Sequence, residues 1–472
     1  MDHFGDDFEA EDISGLVEKF EEMLKNGQSS VFFDSDQLSD IIDYYYQWLN
    51  IPMAKKALSY AEDQFPMDPE IKIRKVRLLH FENKTREALD VLNELEVLNP
   101  NLPEIFLERG HIYSQMALME QAVENYKKAL PLWDQKDEIY FYIGSVFSQM
   151  AKWDDAAFYF QKVLKSSPDF EEAISPYTEA MIQTSRPEKM DECIKTLNSI
   201  IDERPYSLTA WLSLAQVYVT KEDYMKALDA LEYADAIEPN HPEIILSKAD
   251  CYLNLELPEK AIELLQELQE KNDEQFPAES YHLLLGEAYE NTGNFQKSLL
   301  HYNKVLQLDE TNDDAWLGIG VVLNELGRYV EAKHYFMKAV ELNPYNSDHW
   351  FLLANCLKNC GLIEEAIQSY VRSLELAPEE PDAWIEFIIL LISNNYYAEA
   401  EEHLMQAIKH FPDMAVFYYL FAGYLFSVKK QNQAMNYLEK GLELNPHQYE
   451  YLFMVNPSLM NLESILNKIK KH

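Results

Sequence analysis

WLGIGVVLNELGRYVEAKHYFMKAVELNP, residues 316–344, decides the fold. Trp316, Ile319, Gly320 and Leu323 fall on one helical face. Tyr329, Ala332, Phe336 and Ala339 fall on the face of a second helix. Gly327 opens the turn between them. Pro344 ends the second helix, because proline lacks an N–H and clashes with the preceding turn. No segment of the chain alternates with period two over a useful length, so no strand is expected.

The stretch recurs. Ala332 belongs to the series Ala54, Ala88, Ala122, Ala156, Cys193, Ala227, Ala261, Ser298, Ala332, Ala366, Ala400, Ala434, with nine steps of 34 residues and two of 37. A period of this size means a stack of supersecondary units. Twelve residues after the small residue stands proline in nine units, from Pro66 to Pro446. Sixteen residues before it stands a large side chain, as in Phe106, Tyr140, Trp211, Trp316, Trp350, Trp384 and Tyr418. Twelve before it stands a small one, as in Gly110, Gly144, Ala215, Ala249, Gly286, Gly320, Ala354 and Ala422. The aromatic anchors the first helix. The small residue four later lets the second helix approach, and the recurring alanine is expected opposite that gap.

Trp316, Ile319, Gly320, Leu323, Ala332, Phe336 and Pro344 match the tetratricopeptide repeat position by position, and the chain resembles that family over roughly residues 35–448. It is similar to uncharacterised bacterial cytosolic members. Lys72 and His282 depart from the aromatic position, and Asp134, Asp273 and Glu310 from the proline. The resemblance implies an all-α fold, a right-handed superhelical α-solenoid of helix pairs. The repeats are read as 35–68, 69–102, 103–136, 137–170, 171–207, 208–241, 242–278, 279–312, 313–346, 347–380, 381–414 and 415–448. Residues 1–34 are read as an acidic tail and capping helix, and 449–472 as a C-terminal capping helix. Each end of such a stack needs a polar cap. The N-terminal cap is expected over residues 12–26, with Leu16, Phe20 and Leu24 on one face and Gly27 at its end. The C-terminal cap is expected to start at Asn456 and Pro457 and to carry Leu459, Leu462, Ile465, Leu466 and Ile469. Lys468, Lys470 and Lys471 suit the negative end of its dipole.

Composition narrows the function. The net charge of −41 disfavours nucleic acid and anionic membrane and leaves room for a basic partner. The start, MDHFGDDFEAED, lacks the apolar run of a secretory signal, and no stretch of about 18 apolar residues predicts a membrane span. Cys193, Cys251, Cys356 and Cys360 read as free thiols in a reducing cytoplasm. Cys356 and Cys360 share a helix face, but no second pair completes a metal site. The chain shows no nucleophile elbow, P-loop, dinucleotide fingerprint or zinc-protease pattern. The twelve histidines have no ligand spacing. No enzyme, cofactor or metal is expected.

The resemblance implies that first helices line an inner groove, through repeat positions 2, 5, 9, 12 and 13. Three features stand there. An acidic rail runs along position 2 through Asp36, Glu70, Glu104, Glu138, Glu172, Glu243, Asp314, Asp348 and Asp382. It either attracts a basic peptide or complements helix dipoles. A basic island, IKIRKVRLLH, carries Lys72, Arg74, Lys75, Arg77 and His80. Arg74 and Arg77 either clamp a partner's carboxylate or phosphate, or pair with Asp40, Asp43 and Glu108 at matching heights. The third is apolar: Phe351, Ile385, Ile389, Ile392, Tyr419 and Phe426, with AWIEFIILLIS apolar nearly all round. A helix apolar on all faces is buried on all faces. A partner peptide, a second copy of the chain or the curled C-terminal cap would cover it. No asparagine ladder is read along the groove, and Asn355 stands alone. Two three-residue insertions, near Gln183–Lys189 and Glu270–Ala278, are read as tolerated surface loops, with hinges or added contacts as the alternative. The function expected is a scaffold or adaptor that binds a peptide or helix. The alternatives are a homodimer through the C-terminal repeats and a regulatory subunit of a larger complex.

Overall fold

Helices follow one another along the whole computed structural model, which describes residues 7–26, 31–271 and 278–469. No strand occurs among the described residues. Gly27, Lys470, Lys471 and most of the expected Glu270–Ala278 insertion lie outside them. The chain divides into two compact units, Met1–Glu238 and Pro239–His472.

The first unit opens with helix Asp7–Asn26. Six antiparallel pairs follow: Ser35–Gln47 with Ile51–Gln64, Pro69–Phe81 with Thr85–Leu98, Pro103–Gln115 with Met119–Ala129, Lys136–Gln149 with Trp153–Ser166, Ile174–Gln183 with Pro187–Glu203, and Leu208–Thr220 with Tyr224–Ile237. The second unit holds six more: Pro242–Asn254 with Pro258–Lys271, Ala278–Asn291 with Phe295–Leu308, Asp313–Glu325 with Tyr329–Leu342, Ser347–Asn359 with Ile363–Leu376, Pro381–Ser393 with Tyr397–His410, and Ala415–Ser427 with Gln431–Leu444. It closes with helix Glu450–Val455, the 3-10 turn Pro457–Asn461 and helix Glu463–Ile469. Each unit is an all-α stack of helix pairs.

Every turn within a pair uses one residue in the left-handed region. These are Leu49, Asn83, Ala117, Ala151, Ser185, Glu222, Glu256, Gly293, Gly327, Gly361, Asn395 and Lys429. A side chain there costs about 1–2 kcal/mol. Backbone bonds across the helix end offset it. Arg328 N donates to Leu323 O at 2.8 Å, and Asn50 N to Tyr45 O at 2.8 Å, satisfying carbonyls that the helix leaves open. Turns between pairs are fixed differently. Trp211, Trp316, Trp350 and Trp384 each donate Nε1–H to the carbonyl six residues back, at 2.8–3.0 Å, and the Tyr418 hydroxyl does the same at 2.8 Å. The aromatic anchor therefore also ties its helix to the end of the preceding pair.

The gap made by the small residue of the first helix is filled by a ring and not by the recurring alanine. A Cβ on Gly144 would lie 2.8 Å from Phe160 Cε1, and one on Gly320 would lie 2.8 Å from Phe336 Cε1. Gly110 and Gly286 meet Tyr126 and Tyr302 in the same way. Where the first position carries Ile42, Val76 or Ile388, the second carries Leu58, Leu92 or Leu404. The volume is shared between the two positions. The alanines, all fully buried, pack elsewhere in the same interface.

Three local readings need correction. The insertion near Gln183–Lys189 is no loop: the turn keeps three residues, and the extra ones lengthen helix Pro187–Glu203 to 17 residues. The helix before it starts late, after the 3-10 turn Glu171–Ala173, because Pro176 has no N–H to give an earlier helical turn. In the N-terminal cap Phe20, Val17 and Met23 are buried, whereas Leu24 faces out at 40 % exposure. Phe20 sits against Phe33 and Tyr60, with ring centroids 6.0 and 6.1 Å away. The C-terminal cap does not start at Asn456. That residue ends helix Glu450–Val455, Pro457 opens a 3-10 turn, and the next helix starts at Glu463. Leu459 and Ile465 are buried, and Leu462 is exposed.

Gly320→Ala should cost about 1–3 kcal/mol, since the new methyl meets the Phe336 ring. Adding Phe336→Leu should recover about 1 kcal/mol in a double-mutant cycle followed by urea unfolding. Additive costs would show that the two positions do not share one volume.

Candidate partner-binding face

First helices of successive pairs pack side by side, so one face of each stack is built from them. The basic island lies on this face and is paired internally. Arg74 donates to Asp43 Oδ2 from Nη2 at 2.8 Å and from Nε at 3.1 Å. Arg77 Nε donates to Glu108 Oε1 at 2.6 Å, with Glu108 only 5 % exposed. Lys75 Nζ meets Glu62 at 2.6 Å, and His80 pairs with Gln115. Asp40 does not bond to Arg74. Burial raises its carboxyl and the nearby guanidinium only partly counters this. Burial alone would lower the Arg77 guanidinium, but Glu108 and Asp43 overcome it and hold it above its ordinary value. Arg74, Arg77 and His80 thus join neighbouring repeats, and the half-buried Arg77–Glu108 pair would leave the buried Glu108 carboxylate unpaired if broken. Both arginine pairs span 31 residues. The next rung is aromatic, His111 edge-on to Tyr142 at 4.6 Å. His111, Ser114, Gln115, Tyr126, Tyr142 and Ser145 line a cleft of about 330 Å³ beside it.

The apolar region is covered by the chain itself. Ile385, Ile392 and Tyr419 are 8 %, 4 % and 0 % exposed. Helix Glu450–Val455 lies across the first helices of repeats 11 and 12. Leu452 is fully buried there, and Gly423 leaves no room for a Cβ beside Val455. The Tyr419 hydroxyl donates to Asn445 O at 2.8 Å. Tyr419, Ile385 and Ile392 are therefore internal in this structure; the curled C-terminal segment closes over Ile385, while the Tyr419 ring lies against Gly441 of its own helix pair. Phe351, Ile389 and Phe426 stay half-buried. Phe351 and Ile385 border a cleft of about 370 Å³, closed on the far side by Glu450, Tyr451 and Met454.

A second group on the first-helix face was not singled out by the sequence reading. Asp250, Glu287 and Glu290 stand at groove positions 9, 9 and 12 of repeats 7 and 8. No lysine or arginine among the described residues pairs with them. Leu284 and Gly318 stand where the arginine ladder would place a partner for Asp250 and Glu287. Asp250 accepts only from the Asn254 amide, at 3.3 Å, and burial raises its carboxyl. Glu287 keeps an exposed edge, yet the surrounding protein raises its carboxyl, and Asp250 and Asp314 raise it further. Glu290 accepts from the Tyr302 hydroxyl at 2.8 Å. Burial, joined by Glu287 and Glu325, still pushes it up to about 7. Groove-position acids without a cation on the neighbouring helix are the sequence signal for this cluster. Beyond it, a cleft of about 350 Å³ gathers Asn324, Asn355, Asn359, Lys358 and Phe351, so Asn355 does not stand alone. The position-2 rail is mostly exposed, at Asp36, Glu70, Glu172, Glu243, Asp314, Asp348 and Asp382. Among the described residues no helix is long and apolar enough to cross a membrane.

Family profiles of the tetratricopeptide repeat match residues 103–132, 138–169, 218–287, 280–312, 313–346, 335–368 and 415–448. The TPR repeat-containing protein YpiA of Bacillus subtilis (strain 168) is 21% identical over 255 residues. That match spans 47% of this chain and 60% of YpiA, leaving over a third of the relative uncovered. Among solved structures, the APC/C hetero-tetramer Cut9-Hcn1 aligns with a TM-score of 0.43 at 13% identity, over 93% of this chain and 96% of that one.

Two outcomes test this geometry. The folded chain keeps the Glu290 proton up to about pH 7, while an unfolded chain loses it near the ordinary carboxylate value. Its contribution is therefore full at low pH and is lost as pH rises from about 4.5 through 7. Glu290→Gln should flatten that decline and gain roughly 1–2 kcal/mol above pH 7, read by urea unfolding across pH. An unchanged pH profile would place the proton elsewhere. Leu452→Asp should release the C-terminal helix and raise binding of a hydrophobic dye with little loss of helicity. No rise would mean that Ile385 and Ile392 are covered by something other than this helix.

Proposed function

Since the chain belongs to the tetratricopeptide-repeat family, we propose that it is a non-enzymatic scaffold whose first-helix face takes a basic segment of a protein partner. Repeats of this family support a protein-interaction role in general. The observation that carries the finer reading is the cluster Asp250, Glu287 and Glu290. Charged, these carboxylates repel one another in a partly desolvated setting with no cation paired to them among the described residues. A lysine or arginine side chain laid along the face would pair with them and relieve that repulsion. The chain's net charge of −41 would steer such a partner toward it.

A homodimer through repeats 10–12 loses its main support, because the apolar face it would bury is covered by Glu450–Val455. The basic island likewise offers little to an acidic ligand while Asp43 and Glu108 occupy its arginines. A place as one subunit of a larger assembly is compatible with the scaffold reading. A cytoplasmic location fits the four free cysteines, of which Cys193, Cys251 and Cys356 are buried.

Affinity purification from the native cell, with mass spectrometry, tests the reading. The full chain should recover a partner in stoichiometric amount, through a lysine- or arginine-rich segment. The variant Asp250→Asn/Glu287→Gln/Glu290→Gln should bind that partner at least about tenfold more weakly. Recovery of no stoichiometric partner, or unchanged affinity in the variant, would contradict it.

A further inference from the structure

His349 is the third residue of helix Ser347–Asn359 and is 0 % exposed. Neither Nδ1 nor Nε2 has a hydrogen-bond partner. A buried imidazole with both nitrogens unpaired forfeits its hydration and gains nothing in return, so the group calls for a ligand. The nearest acceptor is Asp313 Oδ2, 3.8 Å from Nε2, which is too long for a hydrogen bond. Asp314 adjoins it. One donor atom each from Asp313, Asp314 and His349 lies within 4.8 Å of the others.

We propose that Asp313, Asp314 and His349 form a zinc site that bridges repeats 9 and 10. Imidazole nitrogen and carboxylate oxygen bind zinc at about 2.0–2.2 Å, which puts donors on one ion roughly 3–3.5 Å apart. Separations of up to 4.8 Å need to close by up to about 1.3–1.8 Å, within reach of side-chain rotation for aspartates in a first helical turn. The site has a closed side and an open one. His349 forms the buried wall, while Asp314 is exposed and leaves a coordination position for water. Asn343 Nδ2 donates to the same Asp313 Oδ2 at 2.8 Å and holds that carboxylate beside His349. The N-terminus of helix Asp313–Glu325 opposes a cation, so one carboxylate alone would hold it poorly. Two adjacent carboxylates overcome that field, and the ion relieves the repulsion between them.

Metal-free full-length protein titrated calorimetrically with zinc chloride should show one saturable site per chain with a micromolar Kd. Cobalt chloride should give the visible bands of a low-coordinate ion. His349→Gln and Asp314→Asn should each weaken binding by at least about tenfold. The second substitution is at an exposed residue, so its effect cannot be a failure to fold, and circular dichroism should confirm unchanged helicity for it. Zinc should raise the melting temperature of the natural chain and not that of Asp314→Asn. Absence of a saturable site, or equal zinc affinity in Asp314→Asn, would overturn the proposal.

Discussion

Each helix pair depends on one compensated contact, in which the size of a first-helix residue is matched to that of a second-helix residue. Gly110 with Tyr126, Gly144 with Phe160, Gly286 with Tyr302 and Gly320 with Phe336 are its aromatic form. Packing at crystal-like density leaves no slack, so a methylene added on one side must be removed on the other. The contact sets the distance between the helices of a pair. That distance in turn sets where the first helix presents its outer face. The left-handed turns and the tryptophan tethers fix the two ends of each helix, and the shared volume fixes its middle.

On the outer face, charge balance separates structural positions from available ones. Asp43 with Arg74 and Arg77 with Glu108 are saturated, and their energy goes into holding neighbouring repeats together. Asp250, Glu287 and Glu290 occupy comparable positions with no lysine or arginine among the described residues paired to them. Desolvation raises all three carboxyls, and neighbouring acids raise Glu287 and Glu290 further. Such uncompensated charge on a fixed surface is a common mark of a binding site.

Much of the fold was legible in the sequence because it depends on residues at fixed spacing. Trp316, Gly320, Ala332, Phe336 and Pro344 announce one unit, and the period carries their addresses to the others. What escaped was non-local. The fate of Ile385 turns on helix Glu450–Val455, a six-residue segment outside the repeat pattern. Periodicity says that a helix is apolar all round but not what covers it. Asp313 and Asp314 lie more than one full repeat before His349, so ligand spacing read along the chain could not join them. The basic island was half legible. Its composition is visible, and the sequence leaves open whether its arginines pair at one repeat's distance with Asp43 and Glu108 or await a ligand. The lengthened helix Pro187–Glu203 shows the same limit, since a break in phase does not say whether a loop or a helix absorbs it.

The central claim is that partners meet the first helices. Hydrogen–deuterium exchange of the full chain, with and without a partner recovered from its native cell, tests this most directly. Protection should appear on helices Pro242–Asn254 and Ala278–Asn291, with little change on Pro258–Lys271 and Phe295–Leu308. Protection concentrated on those second helices, with the first helices unchanged, would contradict it.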